Sequence, residues 1–570
     1  MSWWSLLVDI IREKRVLLRP NLEDYDSVCK DFSWVKVREE LGMMGMGNGA
    51  GLALRRPVSR GLGEYVALRW ISESGERKDY PFSTLLQQGL GVANALRELG
   101  LSMGDRVVLL SKRVPSLYFA MIGVPLAGGT LVPVFTSFGR EAIRYRIENS
   151  GAKMIVVHES LKEKVPDVEG LKVVVTSDQS FPNSTKGNGS YSIPTNRPFV
   201  IVYTSGSTGK PKGIWHSHDM MTFYYVSGKY HFDLHEGQDV FWHTGDPAWI
   251  AGFAGVWTAW VNGVTLLSYE GRFDPERWAT IVEENKVTVL STAPTAMRML
   301  KKAEQTVVRH DLSSLRFIHA GGEYVDPDLV RWSHKKLGLP VHDAYGQTET
   351  ATYVIANFIS LPIKVGSMGR PLPGVKALVV DEKGRPLPAN TPGLLAFVPD
   401  FPALAKGVWN DDERWKAYFK GGYYVTGDRA LVDEDGYFWY LGREDDVIKV
   451  SGYRVSPVEI ESVLMTHPAV AEAAVIGVPD PERGNRIKAY VVLREDYSSE
   501  ADLPVKLREY VKLNLASHMA PAEVEIVKEL PHTLSGKILR RLLRSIETKS
   551  PVGDTSTLDN QDLVKDLKKA

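Results

Sequence analysis

Three glycines, four Ser/Thr hydroxyls and two lysines are gathered in Tyr203-Thr204-Ser205-Gly206-Ser207-Thr208-Gly209-Lys210-Pro211-Lys212-Gly213. The apolar run Phe199-Val200-Ile201-Val202 leads directly into it. Glycines let a backbone turn sharply and close its N–H groups around an anion. The hydroxyls add neutral donors and the lysines add charge, so the composition suits a polyphosphate. The common nucleoside-triphosphatase loop places four residues between its two glycines and follows them with Lys and Ser/Thr. Here only Ser207 and Thr208 separate Gly206 from Gly209, and Pro211 follows Lys210. A flexible Gly/Ser linker is the alternative, but such linkers do not follow a strand-like run with paired lysines.

A loop of this kind must be held by regular elements. Between about residues 65 and 320 helical and strand patterns alternate. Phe82 to Leu99 and Pro115 to Pro125 have helical spacing. Strands are predicted at Arg106–Leu110, Lys153–Val157, Lys172–Val175, Val264–Leu267 and Val287–Leu290. Such alternation builds parallel sheets flanked by helices, with ligands at the carboxyl ends of the strands. From Gly366 to Tyr440 short segments separated by Gly, Pro and Asp turns suggest antiparallel hairpins or a small barrel. The charged break Gly442-Arg443-Glu444-Asp445-Asp446 precedes a final unit of helix, two strands, helix and strand. The fold class expected is therefore α/β. A large N-terminal domain of two doubly wound sheets plus a small β-barrel spans 1–443, and 444–446 forms a hinge. A small mobile α+β lid domain follows over 447–545, then a polar tail over 546–570.

With 570 residues the chain exceeds what one core supports. Its 69 basic and 69 acidic residues cancel, which argues against nucleic acid or an electrostatic membrane anchor as partner. The single cysteine, Cys29, forms no internal disulfide and no Cys/His ligand cluster is present, which fits a reducing cytoplasm. The start of the chain lacks the pattern of a signal peptide. Tyr118 to Phe135 is apolar but broken by glycine and proline, so it reads as buried helix, turn and strand and not as a membrane span.

Further motifs follow in order: Asp343-Ala344-Tyr345-Gly346-Gln347-Thr348-Glu349, Tyr424-Val425-Thr426-Gly427-Asp428, Ser451-Gly452-Tyr453-Arg454 and Pro531-His532-Thr533-Leu534-Ser535-Gly536-Lys537-Ile538. Singly each could be a turn. Together, at these separations, they resemble the AMP-forming acyl-adenylate superfamily over about residues 60–545. The acetyl- and medium-chain acyl-CoA synthetases are the most similar members, as in Pro479-Asp480-Pro481-Glu482-Arg483-Gly484. The resemblance implies activation of a carboxylic acid by ATP to acyl-AMP and pyrophosphate, then transfer to coenzyme A. Both reactants of the first step are anions, so the site must screen like charge and hold the attacking oxygen in line.

By this resemblance, Thr204 to Gly209 with Lys210 or Lys212 hold the β- and γ-phosphates, and Mg²⁺ is bound by phosphate oxygens with Glu349 or Thr204. Gly321, Gly322, Glu323, Asp343, Ala344 and Tyr345 frame the adenine, with Tyr345 stacked on it. Gln347 and Thr348 meet the α-phosphate, Asp428 takes both ribose hydroxyls, and Arg443 contacts ribose or phosphate. Lys537 bridges the carboxylate and the α-phosphate. The lid then turns about Asp445, withdraws the lysine and presents Gly452 to a pantetheine tunnel. Arg454 is placed at the α-phosphate and Lys449 at the thioester step, where a solvated lysine is the alternative. His467 matches a position near a structural cation, with a surface histidine as the other reading.

The acyl pocket falls on Trp249, Ile250, Ala251, Gly321 and Gly346. Acetate enzymes have tryptophan at the position of Gly346 and valine at that of Gly321. The two glycines predict a longer cavity, Ile250 narrows one wall, and Gly346→Trp is expected to restore acetate preference. The acids expected are butyrate, 4-hydroxybutyrate with His243, Trp242 and Trp249 on the same wall, branched or medium-chain acids, or an aromatic acid. The alternatives are a carrier-protein-loading adenylation enzyme, an acyl-AMP ligase that does not use CoA, and a non-catalytic binding protein.

Overall fold

The alternating patterns between residues 65 and 320 become the strands and helices of two large sheets. The structure is a computed structural model that describes residues 9–12, 18–185, 191–204, 211–450, 453–480, 484–494, 497, 500–533, 537–550 and 558. One sheet has seven strands in the order Gly407–Val408, Lys212–Ser217, Pro198–Thr204, Thr130–Pro133, Arg106–Leu110, Met154–His158 and Lys172–Thr176. Its central strands are parallel and carry almost unbroken Val/Ile/Leu runs, as strands covered on both faces do. The apolar stretch after Pro115 is a fully buried helix, Pro115–Leu126, followed by the buried strand Thr130–Pro133. Among the described residues no helix is long and apolar enough to cross a membrane.

The second sheet has nine strands: Arg370–Pro371, Tyr353–Ala356, Val341–Gly346, Phe317–Gly321, Val289–Thr292, Val240–His243, Thr265–Tyr269, Val66–Ile71 and Arg77–Pro81. From Val240–His243 the chain crosses through helix Ile250–Val261 to the strand on one side. From Val289–Thr292 it crosses through helix Pro294–Lys302 to the strand on the other. The connections therefore diverge between His243 and Ser291, and a crevice at such a switch point is where open α/β sheets bind ligands.

The amino ends of these strands are pinned by a buried ionic network. Arg316 donates from Nε to Asp239 at 3.0 Å and from a terminal nitrogen to Asp233 at 2.9 Å. Asp239 also accepts from the Thr288 hydroxyl and the His235 N–H, each at 2.7 Å. Asp239, Thr288 and Arg316 stand just before three neighbouring strands, so one network sets their relative heights.

Five histidines, His216, His218, His231, His319 and His342, are buried at 0–1% exposure. Burial, the largest influence on each, holds their imidazoles low: to about 4 for His216 and His342, about 3 for His218 and His231, and well below the ordinary value for His319. The unfolded chain binds these protons below about pH 6.5 and the folded chain does not. Their stability contribution is therefore present above that pH and is lost as pH falls toward 3–4. Each adds about 1.4 kcal/mol per pH unit to the slope. Denaturant melts at pH 7 and pH 5 should show a large loss of stability on acidification, and equal midpoints would refute this account.

Two compact units are formed: residues 1–376 with 398–418, and 377–397 with 419–570. The second holds a five-stranded antiparallel sheet of Ala377–Val380, Gly393–Phe397, Phe419–Lys420, Tyr423–Val432 and Phe438–Arg443. It also holds the α+β part, with helices Pro457–Met465 and Leu503–Asn514 and strands Val470–Asp480, Gly484–Leu493 and Glu523–Ile526. The small antiparallel sheet thus groups with the C-terminal segment, whereas the expected linear boundary at 443 placed it with the N-terminal one. In this unit Arg540 donates to buried Glu461 at 2.7 Å, and Glu461 also accepts the Val475 N–H.

Candidate active site

Thr204 ends the strand Pro198–Thr204 and pairs across the hairpin with Lys212. Ser205, Gly206, Ser207, Thr208, Gly209 and Lys210 lie outside the described residues, so the expected phosphate loop is seen only from its two stems. The Thr204 Oγ1 is buried without a hydrogen-bond partner. Lys212 is committed within the protein: its ammonium donates to Glu349 Oε1 at 2.7 Å and to the Tyr418 hydroxyl. Both side chains of the ion pair are nearly buried. Burial alone would pull Lys212 down, but Glu349 and Tyr418 raise it above the ordinary lysine value, so it stays charged. Its geometry is that of a group orienting Glu349, an arrangement the spacing of the motifs did not reveal.

Gln347 to Ala351 form a tight turn. The Gln347 N–H donates to Thr350 Oγ1 at 2.8 Å, a reciprocal cap joins the two residues, and Ala351 sits at φ 59°. A non-glycine residue in that region is a strained choice that surrounding bonds must enforce. They do: His216 Nε2 lies 2.8 Å from the Thr348 carbonyl, the Ala405 N–H donates to the Glu349 carbonyl at 2.7 Å, and the Tyr224 hydroxyl reaches the Ala351 carbonyl. The Thr348 side chain remains half-buried at the surface of the turn.

At the neighbouring strand ends, Thr244 and Thr292 hydroxyls meet at 2.7 Å across the switch point. Gly322 takes φ +90°, which aims Glu323 back to accept from Thr295 at 2.8 Å and from Arg298 at 3.0 Å. Asp343, Ala344 and Tyr345 are buried in the strand Val341–Gly346, and burial pushes the Asp343 carboxyl well above the usual range.

The expected acyl-pocket positions carry a correction. Trp249 caps helix Ile250–Val261, with Ile250 buried and Ala251 partly so, and its ring packs on Phe135 at 5.5 Å. A Cβ on Gly346, however, would lie 2.2 Å from the Thr352 carbonyl oxygen. A Cβ on Gly321 would lie 2.6 Å from the Tyr353 ring and 2.9 Å from His319 Nε2. Space on these sides of the two glycines is thus filled by the chain itself, and an indole at 346 requires the 351–353 backbone to move. The reasoning that each glycine simply vacates a side chain's volume does not hold. A cavity of about 10 Å³ lies beside Arg113, Tyr118, Ser268 and two residues of the expected acyl wall, Trp242 and His243.

In the second unit Asp428 is buried, its N–H donates to Thr426 Oγ1, and Arg443 approaches its carboxylate at 3.6 Å. Arg443 also donates to Asp445 at 2.8 Å, tying two expected site residues together. Lys537 is exposed; its N–H donates to Thr533 Oγ1 and its carbonyl accepts the Thr533 N–H. Lys449 is exposed on the strand Ile448–Val450. Gly452 and the Arg454 side chain lie outside the described residues. His467 Nδ1 accepts the Ala469 N–H, its ring packs on Tyr510, and no cluster of three His, Cys, Asp or Glu suited to a metal occurs among the described residues.

Known proteins match most of the chain. Residues 56–409 match the AMP-binding enzyme family, and residues 459–537 match the AMP-binding enzyme C-terminal domain. The chain is 38% identical over 561 residues to the acetyl-coenzyme A synthetase of Bacillus subtilis (strain 168), covering 95% of this chain and 98% of that one. Among solved structures it is similar to a Brucella canis acyl-CoA synthetase, with TM-score 0.72, 33% identity and 93% and 99% coverage. An anthranilate CoA ligase in complex with anthranoyl-AMP gives TM-score 0.79, 27% identity and 90% and 99% coverage. The chain belongs to the AMP-binding enzyme family. Within it, this protein is an AMP-forming acid–CoA ligase, using ATP with Mg²⁺ and coenzyme A.

Proposed function

We propose that the acid activated is longer than acetate, with butyrate, 4-hydroxybutyrate and medium-chain acids as the leading candidates. The observation that carries this reading is Gly346, a position where the backbone itself excludes any side chain. The Thr352 carbonyl occupies that side, so the reading rests on this turn admitting no side chain at 346 and not on volume that one has vacated. Acetate is the second reading. It is favoured by the relative at 38% identity and by Tyr353 and His319 filling the Gly321 side. A panel of acids decides between them. With purified enzyme and CoA, kcat/KM for butyrate should exceed that for acetate, and the reverse order would give the acetate reading. Acyl-AMP and pyrophosphate formation with no AMP release on addition of CoA would favour an acyl-AMP ligase or carrier-loading enzyme.

In the mechanism we infer, the carboxylate oxygen attacks the α-phosphorus as the bond to the β-phosphate breaks and pyrophosphate leaves. Thr348 donates to an α-phosphate oxygen, and Gln347 lies beside it. The loop 205–210 takes the leaving phosphates, and Lys212 orients Glu349. Mg²⁺, when bound, neutralises phosphate charge. Glu349 and Thr204 would hold it, since Lys212 engages only Oε1 of the carboxylate and the buried Thr204 hydroxyl lacks a partner. Asp428 accepts from the ribose hydroxyls under the orientation set by Arg443. Lys537 stabilises the charge shared by carboxylate and phosphate. The segment 444–446 then acts as the hinge, Gly452 lines the pantetheine tunnel, and attack of the CoA thiol on the acyl carbonyl expels AMP. The lid domain over 447–545 and its action in a cytoplasmic setting belong to the same proposal.

A further inference from the structure

The strand Lys212–Ser217 presents Lys212, Ile214 and His216 on one face, since side chains alternate along a strand. Lys212 engages the Glu349 carboxylate, and Ile214 packs into a small apolar cluster with Ala405 and Val408. His216 reaches the Thr348 carbonyl. Ala405 closes the fourth side by donating to the Glu349 carbonyl. One strand face therefore grips the Thr348–Glu349 turn at both ends, and His216 has no role in the chemistry described so far.

A carbonyl oxygen only accepts, so the imidazole nitrogen 2.8 Å from it carries the proton. The ring is fully buried and burial keeps it neutral; its Nδ1 makes no geometric hydrogen bond, although the Ala403 backbone also lies against the ring. We propose that His216 is a positioning residue for adenylation: its Nε2–H fixes the Thr348 carbonyl and thereby aims the Thr348 hydroxyl at the reacting phosphate. The proposal rests on the reading that Thr348 meets the α-phosphate.

Glutamine places an amide nitrogen the same number of bonds from Cβ as Nε2, whereas asparagine is one bond short. ATP–pyrophosphate exchange by the full chain should therefore separate two chemically similar replacements. His216→Asn should lower kcat by about 10–100-fold with KM for ATP changed less than about threefold, as displacement of a positioned group does. His216→Gln should restore most of the rate. In a Thr348→Val background, His216→Asn should add less than about threefold, because the two residues act as one unit. Equal impairment by Asn and Gln, a fully active His216→Asn, full additivity with Thr348→Val, or failure of both amide variants to fold would each overturn the proposal. A dead Thr348→Val beside an active His216→Asn removes the clamp alone. A fully active Thr348→Val removes the reading of Thr348 and the clamp with it.

Discussion

Lys537→Ala is expected to lower ATP–pyrophosphate exchange by about 10²–10³-fold, the loss typical of removing one donor aimed at developing charge. It should leave thioester formation from supplied acyl-AMP within about threefold of the parent enzyme. The asymmetry follows from the two half-reactions. In the proposed mechanism charge builds between two anions only in the first, and the lysine is withdrawn before the second. Its setting suits such a visiting group: the residue is exposed, while Thr533 bonds both the N–H and the carbonyl of its backbone. Because the residue is exposed, its substitution should barely move the unfolding midpoint. Exchange at the parental rate would remove Lys537 from the mechanism, and equal loss in both half-reactions would remove the withdrawal step.

The second large effect is structural. Arg316→Met should destabilise the fold by about 3–5 kcal/mol, because it leaves two buried carboxylates without their cation. Asp233 and Asp239 side chains are each 1% exposed, and Arg316 is 4% exposed. In the variant one carboxylate has to take up a proton, so its folded-state affinity for protons rises. A carboxyl raised on folding is stabilised at low pH, so the gap between variant and parent should narrow as pH falls toward 5. Denaturant melts of both proteins at pH 7.5 and 5.5 test the magnitude and the sign together. A deficit below 1 kcal/mol, or one that widens on acidification, would contradict the network's assigned role. Part of the lost stability should return in Arg316→Met/Asp233→Asn/Asp239→Asn, which removes the unpaired charges.

The sheets were legible because their strands are short apolar runs bounded by turns. Arg106–Leu110 occupies the bounds expected, and the other strands expected of the two large sheets differ by a residue or two. The N-terminal helices Tyr25–Asp31, Trp34–Leu41 and Gly49–Pro57 were not read. They are short and depend on capping and packing more than on periodicity. At the site, the motifs named the residues but not their mutual commitments. Lys212 and Glu349 are 137 positions apart, and nothing local announces that one holds the other. Tyr418, Arg298 and His216 were missed for the same reason, because each acts through a partner distant in sequence. Gly346 shows the opposite limit. Its identity was informative, but the direction of its missing Cβ depends on the bulge that pairs it with Tyr353.

That bulge has an evolutionary consequence. With the Thr352 carbonyl 2.2 Å from where a Cβ would stand, every single-codon change at Gly346 meets the same backbone obstacle, whatever residue it encodes. Occupying the position requires the 351–353 backbone to shift, and Ala351 at φ 59° is already the strained link in that segment. The two changes must arrive together, since either alone is penalised. A lineage carrying this turn therefore crosses a fitness valley before it can trade one acid for another through position 346. With the acyl pocket placed as proposed, gradual retuning has to come from Trp249, Ile250 and Ala251 instead.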